Sequence, residues 1–513
     1  MNHSKSKNVM RSTFFGCLYH LVKFIMGLIA RKLFLIYIGV EYLSVAQVIS
    51  SLLTVLSFSE MGIQNAVLFM LYKPVAQGDT DKTRQLMVLY RRWNRYVGCA
   101  VFVIGLCMMP FLGLFIETRL SMMTVWIIYM INLVFAASTY FLSYRSVLLS
   151  AMQKDYVISA IVTLVSIGSV LLQCVVIYVT KDYIGYLLTG IVCSVGCNLA
   201  VYDKVGREVP YIRDLASVQV NTDTRDTLVK NVRATFAIRV CGIVIDNTDN
   251  ILISWLNTLM VGFCANYTCV TTQIKALIST FQNALLHSLG VANADKNGRQ
   301  QYALFQQVVL VNTFLAGVIT VPLGVLWDDF IVLWIGAEYV IDPWIVWMLL
   351  LNFCCQIMDA SVWQFRDTTG MFVYVKHVLV LNAALNIVLS LLLGHFMGIA
   401  GVYLATVLSN FLTDYWYDAK VVYTRVFQEN GYYRYVVYLA GNLFLIMGLS
   451  YGLKMAMTGW GCNVAIWLVK GVVSVLIYGI VFYILYHKRA AYRQLQQMYR
   501  HYFVRKNTGT GDR

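Results

Sequence analysis

Basic side chains line one face of the first hydrophobic segment, residues 12–38, and side chains of this type could bind an anion. At about 100° per residue, His20, Lys23 and Arg31 fall within a sector of roughly 80° on a helix, whereas Lys32 points elsewhere. A cation in hydrocarbon costs at least ~2.5–3.5 kcal/mol, so such groups normally face a water-filled cavity or a partner. The row therefore predicts the wall of a polar path that accepts an anion.

A purely structural interpretation of the same cations stays open. Arg31 and Lys32 would extend to the outer membrane surface, and Lys23 would extend to the inner one, with their alkyl stems in the bilayer. Lys23 lies about three helical turns in from Arg11, which is a long way for its side chain to reach. We therefore favour the cavity interpretation.

Residues 231–255 form another hydrophobic segment, and this one carries charges of both signs. Arg239, Asp246 and Asp249 share a sector about 80° wide, with Arg239 and Asp249 at its two edges. In the structural interpretation, the carboxylates form an internal salt bridge with Arg239 or with Lys275 of the next segment. In the functional interpretation, Arg239 and Lys275 bind the anion and the carboxylates titrate during transport.

The predicted site contains no catalytic residue, metal ligand or cofactor, and it combines two groups of side chains. The group predicted to bind an anionic substrate consists of His20, Lys23, Arg31, Arg239 and Lys275. The group predicted to act in coupling or gating consists of Glu60, Asp246 and Asp249. For the amides in the same segments we predict hydrogen bonds between helices, worth roughly 0.6 kcal/mol each, at Gln64, Asn65, Gln282 and Asn283.

Composition places these residues in a membrane protein. Hydrophobic residues make up 59% of the 513 residues and charged residues 13%, and apolar runs of membrane-spanning length recur from end to end. The first run follows a basic start but has no A-x-A-like cleavage site, so we interpret it as a retained helix. The twelve cysteines lack metal-binding spacing and are expected to be small buried hydrophobes.

The distribution of Lys and Arg predicts the topology of an all-α chain with fourteen spans. With the N-terminus inside, 31 of the 40 basic residues fall in inward segments, 3 in outward segments and 6 within spans. This asymmetry predicts that both termini are cytoplasmic, and it explains the net charge of +15 without a nucleic-acid partner. The predicted spans are 12–38, 42–72, 93–116, 121–145, 156–180, 183–203, 231–255, 259–290, 302–327, 343–365, 371–393, 397–418, 433–453 and 463–487.

Short strings recur in the same order at an offset of a little over two hundred residues. Each match is weak, but their common order indicates two copies of one six-helix unit. The matched pairs are Arg11-Ser-Thr-Phe14 with Arg233-Ala-Thr-Phe236, Gln64-Asn65-Ala66 with Gln282-Asn283-Ala284, Arg145 with Arg366, and Tyr202-Asp203-Lys204 with Tyr417-Asp418-x-Lys420.

Both copies enter the membrane from the same side, which predicts a pseudo-two-fold axis along the membrane normal and a site between two lobes. The charges do not follow this repeat. At an offset of 222, Arg31 aligns with Ile253. Arg239 aligns with Cys17, so the cations indicate an asymmetric site on a symmetric frame. The predicted domains are an N-terminal lobe at 1–204, a cytoplasmic linker at 205–229, a C-terminal lobe at 230–425, and two extra helices with a basic tail at 426–513.

Several strings also resemble a known family, and their order along nearly the whole chain is more specific than any one of them. They are Glu60-Met-Gly-Ile63, Leu71-Tyr-Lys-Pro-Val-Ala-Gln-Gly-Asp79, Tyr140-Phe-Leu-Ser-Tyr-Arg145, Gln153-Lys154-x-Tyr156, Asp246-Asn-Thr-Asp-Asn250 and Gly398-Ile-Ala-Gly-Val-Tyr-Leu-Ala-Thr406. The chain resembles bacterial polysaccharide flippases of the multidrug/oligosaccharidyl-lipid/polysaccharide exporter superfamily, of the O-antigen or capsule repeat-unit type.

The resemblance implies a substrate, a location and partners. The substrate would be an undecaprenyl-pyrophosphate-linked oligosaccharide, moved from the inner to the outer leaflet of the bacterial cytoplasmic membrane by alternating access. In that family, cavity cations are thought to engage the anionic substrate. The two extra helices resemble those that flank a lipid-tail groove in the related peptidoglycan-precursor flippase. We expect a monomer, with membrane lipids as partners and a polysaccharide polymerase as a candidate partner.

Two other functions were weighed against this one. A membrane glycosyltransferase or polymerase would present carboxylates on a sizeable outer loop, but the loop predicted at 328–342 is short and half apolar, so we predict a non-enzyme. A multidrug exporter of the same superfamily would favour twelve spans and an acidic cavity for cationic drugs. Fourteen spans and a cationic cavity argue against it.

Overall fold

The computed structural model describes residues 23–56, 59–152, 154–212, 218, 220–294, 298–369 and 371–497. Within these residues the chain forms helices joined by short turns and contains no strand, which confirms the predicted all-α class. The helices are α1 (23–37), α2 (Val40–Leu56), α3 (Ser59–Gln77), α4 (Thr80–Met108), α5 (Met122–Leu142), α6 (Ser146–Ala151), α7 (Asp155–Thr180), α8 (Tyr183–Glu208), α9 (Thr222–Ala294), α10 (Gly298–Trp334), α11 (Pro343–Thr368), α12 (Lys376–Met397), α13 (Ile399–Leu412), α14 (Asp414–Val422), α15 (Tyr432–Ala456), α16 (Val464–Tyr486) and α17 (490–497).

The described part of the chain contains ten helical segments that are long and apolar enough to cross a membrane. The shorter helix α2 is also apolar. The chain is therefore a multi-pass membrane protein. The count of fourteen stays a prediction, because the first predicted span begins at residue 12, outside the described residues, and the second falls on the two helices α2 and α3.

Asn257 divides α9 into two straight segments. Its backbone is extended, with φ −167° and ψ 105°, so the helix stops there and begins again. The side-chain oxygen of Asn257 accepts a hydrogen bond from the backbone N–H of Met260 at 3.3 Å, which is how asparagine caps a helix N-terminus. The break lies between the predicted spans 231–255 and 259–290 and confirms that division.

Contacts divide the chain into two compact units, Met1–Ala265 (unit 1) and Asn266–Arg513 (unit 2). The lobe, linker and tail boundaries proposed from the sequence stay predictions. In unit 1, α2 packs closely on the second segment of α9. The Ser44 hydroxyl donates to the carbonyl of Leu259 at 2.9 Å and accepts from the N–H of Gly262 at 3.1 Å. A Cβ on Gly262 would lie 2.2 Å from that hydroxyl, so only glycine permits this approach.

Aromatic rings join α1 to α8 in unit 1. The Phe34 ring lies edge-on to Tyr183 and Tyr186, with centroids 5.8 and 5.3 Å apart. Asp182 caps α8 by accepting from the N–H of Gly185 at 2.8 Å, which fixes the two tyrosines at the start of the helix. The end of α1 is therefore held by a packed cluster and not only by lipid.

In unit 2, two glycines form the tight connection between α12 and α13. Gly398 has φ +61°, a conformation that side chains rarely adopt. One turn later, a Cβ on Gly401 would lie 2.1 Å from the carbonyl oxygen of Leu393. Both residues belong to the string Gly398 to Thr406 that carries the family resemblance. The positive φ explains the glycine at 398, and the close packing of the two helices explains the glycine at 401.

The two extra helices, α15 and α16, pack against α10 in unit 2. The Tyr478 hydroxyl donates to the carbonyl of Thr313 at 3.0 Å, and its ring fills the space that a Cβ on Gly317 would need. Two ion pairs lie further along α10: Lys454 with Asp328 at 2.7 Å, and Lys470 with Asp329 at 2.6 Å.

These pairs correct the predicted outer loop at 328–342. Because α10 continues to Trp334, Asp328 and Asp329 are helical residues paired with the extra helices, and the connection before α11 is shorter than predicted. Residues 328–342 contain four acidic residues, and only Glu338 and Asp342 of these lie in the connection. Asp342 caps α11 by accepting from the N–H of Trp344 at 2.8 Å.

The predicted repeat is visible as a matching contact in each unit. In unit 1, the buried Arg145 guanidinium lies 3.6 Å from the centroid of the Tyr202 ring. In unit 2, Arg366 donates to the Asp418 carboxylate at 2.6 Å. Each arginine thus contacts the Tyr-Asp string of its own unit, and these two strings are a predicted matched pair. The partner is an aromatic ring in unit 1 and a carboxylate in unit 2. This correspondence supports two copies of one helical unit.

Candidate functional site

Arg31 is a predicted site residue of unit 1 whose contacts the structure describes. Its side chain is half-buried on α1, and Nη2 donates a hydrogen bond of 3.0 Å to the carbonyl of Ala265 on the second segment of α9. The guanidinium also interacts electrostatically with Tyr186 of α8. A carbonyl oxygen is neutral, so this hydrogen bond orients the guanidinium without removing its charge. The planar donor fork of arginine is suited to phosphate and carboxylate groups.

The other cations of α1 differ from Arg31 in their surroundings. Lys23 and Lys32 are both exposed, although the first belongs to the predicted cationic face and the second does not. Exposure of Lys23 is compatible with either interpretation of that face, because an exposed side chain here meets water or lipid. Lys32 carries the same charge next to Arg31 in the sequence, which makes it a matched control for experiments on Arg31.

Polar contacts surround the predicted coupling residue Asp249 in unit 1. Asp249 is half-buried on the first segment of α9. The amide of the following residue, Asn250, donates to the Ser51 hydroxyl of α2 at 3.0 Å. One turn later, the Ser254 hydroxyl donates to the backbone carbonyl of Phe115. Both hydrogen bonds come from the segment of α9 before the break at Asn257, and they attach that segment to α2 and to the backbone at Phe115.

Lys275 is the predicted cation that lies in unit 2. It is half-buried, and its ammonium group lies 5.8 Å from the centroid of the Phe353 ring on α11, at the outer limit of a cation–π contact. An aromatic face partly compensates an ammonium group without accepting its proton. The role of Lys275 in binding an anion stays a prediction.

The remaining predicted residues cannot be placed at the level of side chains. His20 lies outside the described residues. Arg239, Asp246 and Glu60 lie on the helices predicted for them, α9 and α3, but their side chains are outside the description. Their roles stay predictions. The structure thus describes four of the eight predicted side chains: Lys23, Arg31 and Asp249 in unit 1 and Lys275 in unit 2.

The prediction for the buried amide of Gln282 is confirmed. Its amide donates to the side-chain oxygen of Asn312 on α10 at 3.3 Å. The Asn312 amide donates in turn to the Ser361 hydroxyl on α11 at 2.9 Å. This chain joins three helices inside unit 2, as expected for amides that stabilise helix packing in a membrane.

An amphipathic pocket in unit 1 was missed by the sequence analysis. It has a volume of about 770 Å³ and lies along α4, facing the start of α9. Arg92 and Arg225 line its polar end, and Trp93, Tyr96 and Ile104 line its apolar part. The two arginines had been interpreted only as topology signals. Arg92 and Tyr96 are four residues apart, which places both side chains on one face of α4. This spacing is a local sequence signal for the pocket.

No family model matches the sequence, and no curated protein matches it. Solved structures do match the fold. The Lipid II flippase MurJ in its inward closed conformation aligns with a TM-score of 0.68 at 12% identity, covering 92% of this chain and 99% of that one.

Two multidrug transporters also align. VcmN, a MATE transporter of Vibrio cholerae, aligns with a TM-score of 0.55 at 14% identity, covering 84% of this chain and 100% of that one. A MATE family transporter of the MOP superfamily in an inward-facing conformation gives 0.55 at 12% identity, covering 85% and 99%.

These likenesses define the class of the fold. The chain has the polytopic helical fold shared by the MurJ flippase and the MATE transporters, which is the fold that the resemblance to the MOP superfamily implied. The neighbours are transporters. At 10–14% identity the likeness concerns the fold, and the substrate has to be argued from this chain's own residues.

Proposed function

We propose that the chain is a flippase that moves a pyrophosphate-linked polyprenyl oligosaccharide from the inner to the outer leaflet by alternating access, for surface polysaccharide synthesis. The observation that carries this proposal is the half-buried guanidinium of Arg31, which donates to the carbonyl of Ala265 on a helix predicted to cross the membrane. A fixed cation in a low-dielectric setting attracts a doubly charged headgroup far more strongly than a cation at the surface does.

Two further features support the same substrate class. The pocket along α4 combines arginines with apolar walls, as a lipid with an anionic headgroup would require. A structural neighbour, MurJ, is named as a flippase of lipid II, which makes lipid translocation a known use of this fold. The sequence resemblance implies that the extra helices α15 and α16 flank a groove for the lipid tail, and we include this in the proposal.

Substitution of Arg31 tests the proposal. We expect Arg31→Ala to abolish surface polysaccharide in a strain that lacks its own flippase, while the protein level on an immunoblot stays normal. Arg31→Lys should retain part of the activity, because it keeps the charge and loses the planar donor fork. Lys32→Ala removes a neighbouring exposed charge and should leave export unchanged. Full polysaccharide production by Arg31→Ala would refute the proposal.

The likeness to MATE transporters favours a second candidate, the export of cationic drugs. Drug resistance of cells that express the chain distinguishes the two. A drug exporter would raise the tolerated concentration of cationic dyes, and Arg31→Ala would leave that resistance intact or increase it, because a cavity cation repels such substrates. A flippase for lipid-linked oligosaccharides would confer no such resistance.

A further inference from the structure

A small pocket at the predicted cytoplasmic end of unit 2 is surrounded by positive charge. It has a volume of about 420 Å³ and lies between α10, the start of α15 and the turn after α16. Arg434 and Arg489 line it from two different helical segments. Four of the other ten lining residues are tyrosines, including Tyr302 and Tyr438. None of these residues belongs to the predicted transport site.

The helix that supplies Arg434 strengthens the positive charge. Arg434 lies in the first turn of the 25-residue helix α15. That turn contains no acidic residue, and the preceding Gly431 offers no capping side chain. The first N–H groups of a helix carry a partial positive charge that favours an anion and disfavours a cation. An arginine at this position therefore adds to a charge that the chain does not compensate within the helix.

Arg489 is held in place by aromatic rings. Its guanidinium carbon lies 4.8 Å from the centroid of Tyr486 and 5.2 Å from that of Tyr438. Stacking on rings orients a guanidinium while leaving its N–H donors available at the edge. Arg434 lies 5.7 Å from the centroid of Tyr433. Both side chains are exposed at their outer edge, so a ligand can reach them.

Acidic groups around the pocket are sparse. Arg434 interacts mainly with the side chain of Tyr433 and more weakly with the exposed carboxylate of Glu429. Among the ion pairs found in the described residues, none includes Arg434 or Arg489. The nearby charged residues Lys420 and Lys488 are also basic. Two guanidinium groups beside an uncapped helix N-terminus are complementary to one phosphate group.

We propose that this pocket, defined by Arg434, Arg489 and the N-terminus of α15, binds a phosphate group carried by an anionic membrane lipid. The surface below it favours a lipid as the source, because α15 continues from the pocket with exposed apolar side chains, including Val437 and Phe444 at 69% and 84% exposure. Acyl chains would lie along that face while the headgroup enters the pocket. Free phosphate carries the same chemistry and is the alternative source.

Lipid binding by the purified full-length chain tests this proposal without any transport assay, so its outcome is independent of the proposed function. Native mass spectrometry with phosphatidylglycerol and phosphatidylcholine as probes should show at least a tenfold preference for the anionic lipid. The double variant Arg434→Gln/Arg489→Gln should weaken phosphatidylglycerol binding about tenfold, because it removes both charge-assisted donors. The matched variant Lys420→Gln/Lys488→Gln changes net charge equally and should bind within twofold of wild type.

A second variant guards against misfolding of the double mutant. Gln306 lines the pocket and is exposed, so Gln306→Glu adds a carboxylate while both arginines and their ring contacts stay in place. It should weaken phosphatidylglycerol binding several-fold. Displacement of the lipid by millimolar inorganic phosphate would assign free phosphate as a ligand of the same site, and resistance to it would assign the headgroup. Equal losses in the pocket and matched variants, or no lipid preference in wild type, would overturn the proposal.

Discussion

Individual charged residues in this chain are oriented by neutral groups in some places and by opposite charges in others. Arg31 donates to a backbone carbonyl, and Lys275 lies beside an aromatic ring. Lys454 and Lys470 instead form ion pairs with Asp328 and Asp329. Arg31 and Lys275 are the cations predicted to bind the substrate anion, whereas Lys454 and Lys470 attach the extra helices α15 and α16 to α10.

Asp249 is the residue on which the coupling hypothesis depends. A titrating carboxylate that takes up an external proton once the substrate has engaged the cavity cations would couple export to a pH gradient. Asp249→Asn mimics the protonated form, so we expect transport by the variant in proteoliposomes to lose its dependence on an imposed pH gradient.

Asp249→Glu is the control for that experiment, because it keeps a titratable group at the same place and should retain the dependence. A wild-type response to the gradient in Asp249→Asn would mean that Asp249 is not the coupling group. Glu60 and Asp246 would then be the remaining predicted coupling groups, beside the membrane potential, which contributes about 2.3 kcal/mol per charge per 100 mV.

At the scale of elements, the close packing of α12 on α13 depends on a backbone approach that leaves no room for a side chain. Gly401→Ala would place a methyl group 2.1 Å from the carbonyl oxygen of Leu393. We expect destabilisation of about 1–3 kcal/mol, seen as a lower Tm of the purified protein. Gly441→Ala in α15 is the matched control, since a Cβ there meets nothing within 4 Å. Equal Tm values for the two variants would contradict this explanation.

The elements show which features a sequence can predict and which it cannot. The break at Asn257 was predictable, because apolar runs end on both sides of it and asparagine is a common helix cap. The extent of α10 was not, because Asp328 and Asp329 look like loop residues until their lysine partners are known. Those partners lie 126 and 141 residues later, and no local pattern reports a pairing at that distance.

The candidate site follows the same division. The helix face that presents Lys23 and Arg31 is a local property and could be predicted from spacing alone. The hydrogen-bond acceptor of Arg31 could not be predicted, because a backbone carbonyl at Ala265, 234 residues away, has no side-chain signature. The pocket along α4 is lined by residues of both α4 and α9. The spacing within α4 is a local pattern, but the packing of α9 beside it could not be predicted.

For the whole molecule, topology is the property that experiments can settle first. Both termini and residues 73–95 are predicted to be cytoplasmic, and Glu338 external. Gln77 and Glu338 are both exposed, so cysteines placed there should be accessible. In a background freed of native cysteines, a membrane-impermeant maleimide should label Glu338→Cys in intact cells and Gln77→Cys only after lysis. Labelling of Gln77→Cys alone in intact cells would invert the predicted topology.

The ion pairs between α10 and the extra helices also constrain how the chain is made. Asp329 leaves the ribosome 141 residues before Lys470, which at ~5–20 residues per second is an interval of roughly 7–28 s. During that interval α10 has two carboxylates whose lysine partners do not yet exist. We therefore expect the outer end of α10 to stay in water or at the membrane surface until α15 and α16 are synthesised. Chains that end before α15 are expected to lack both lysine partners of Asp328 and Asp329.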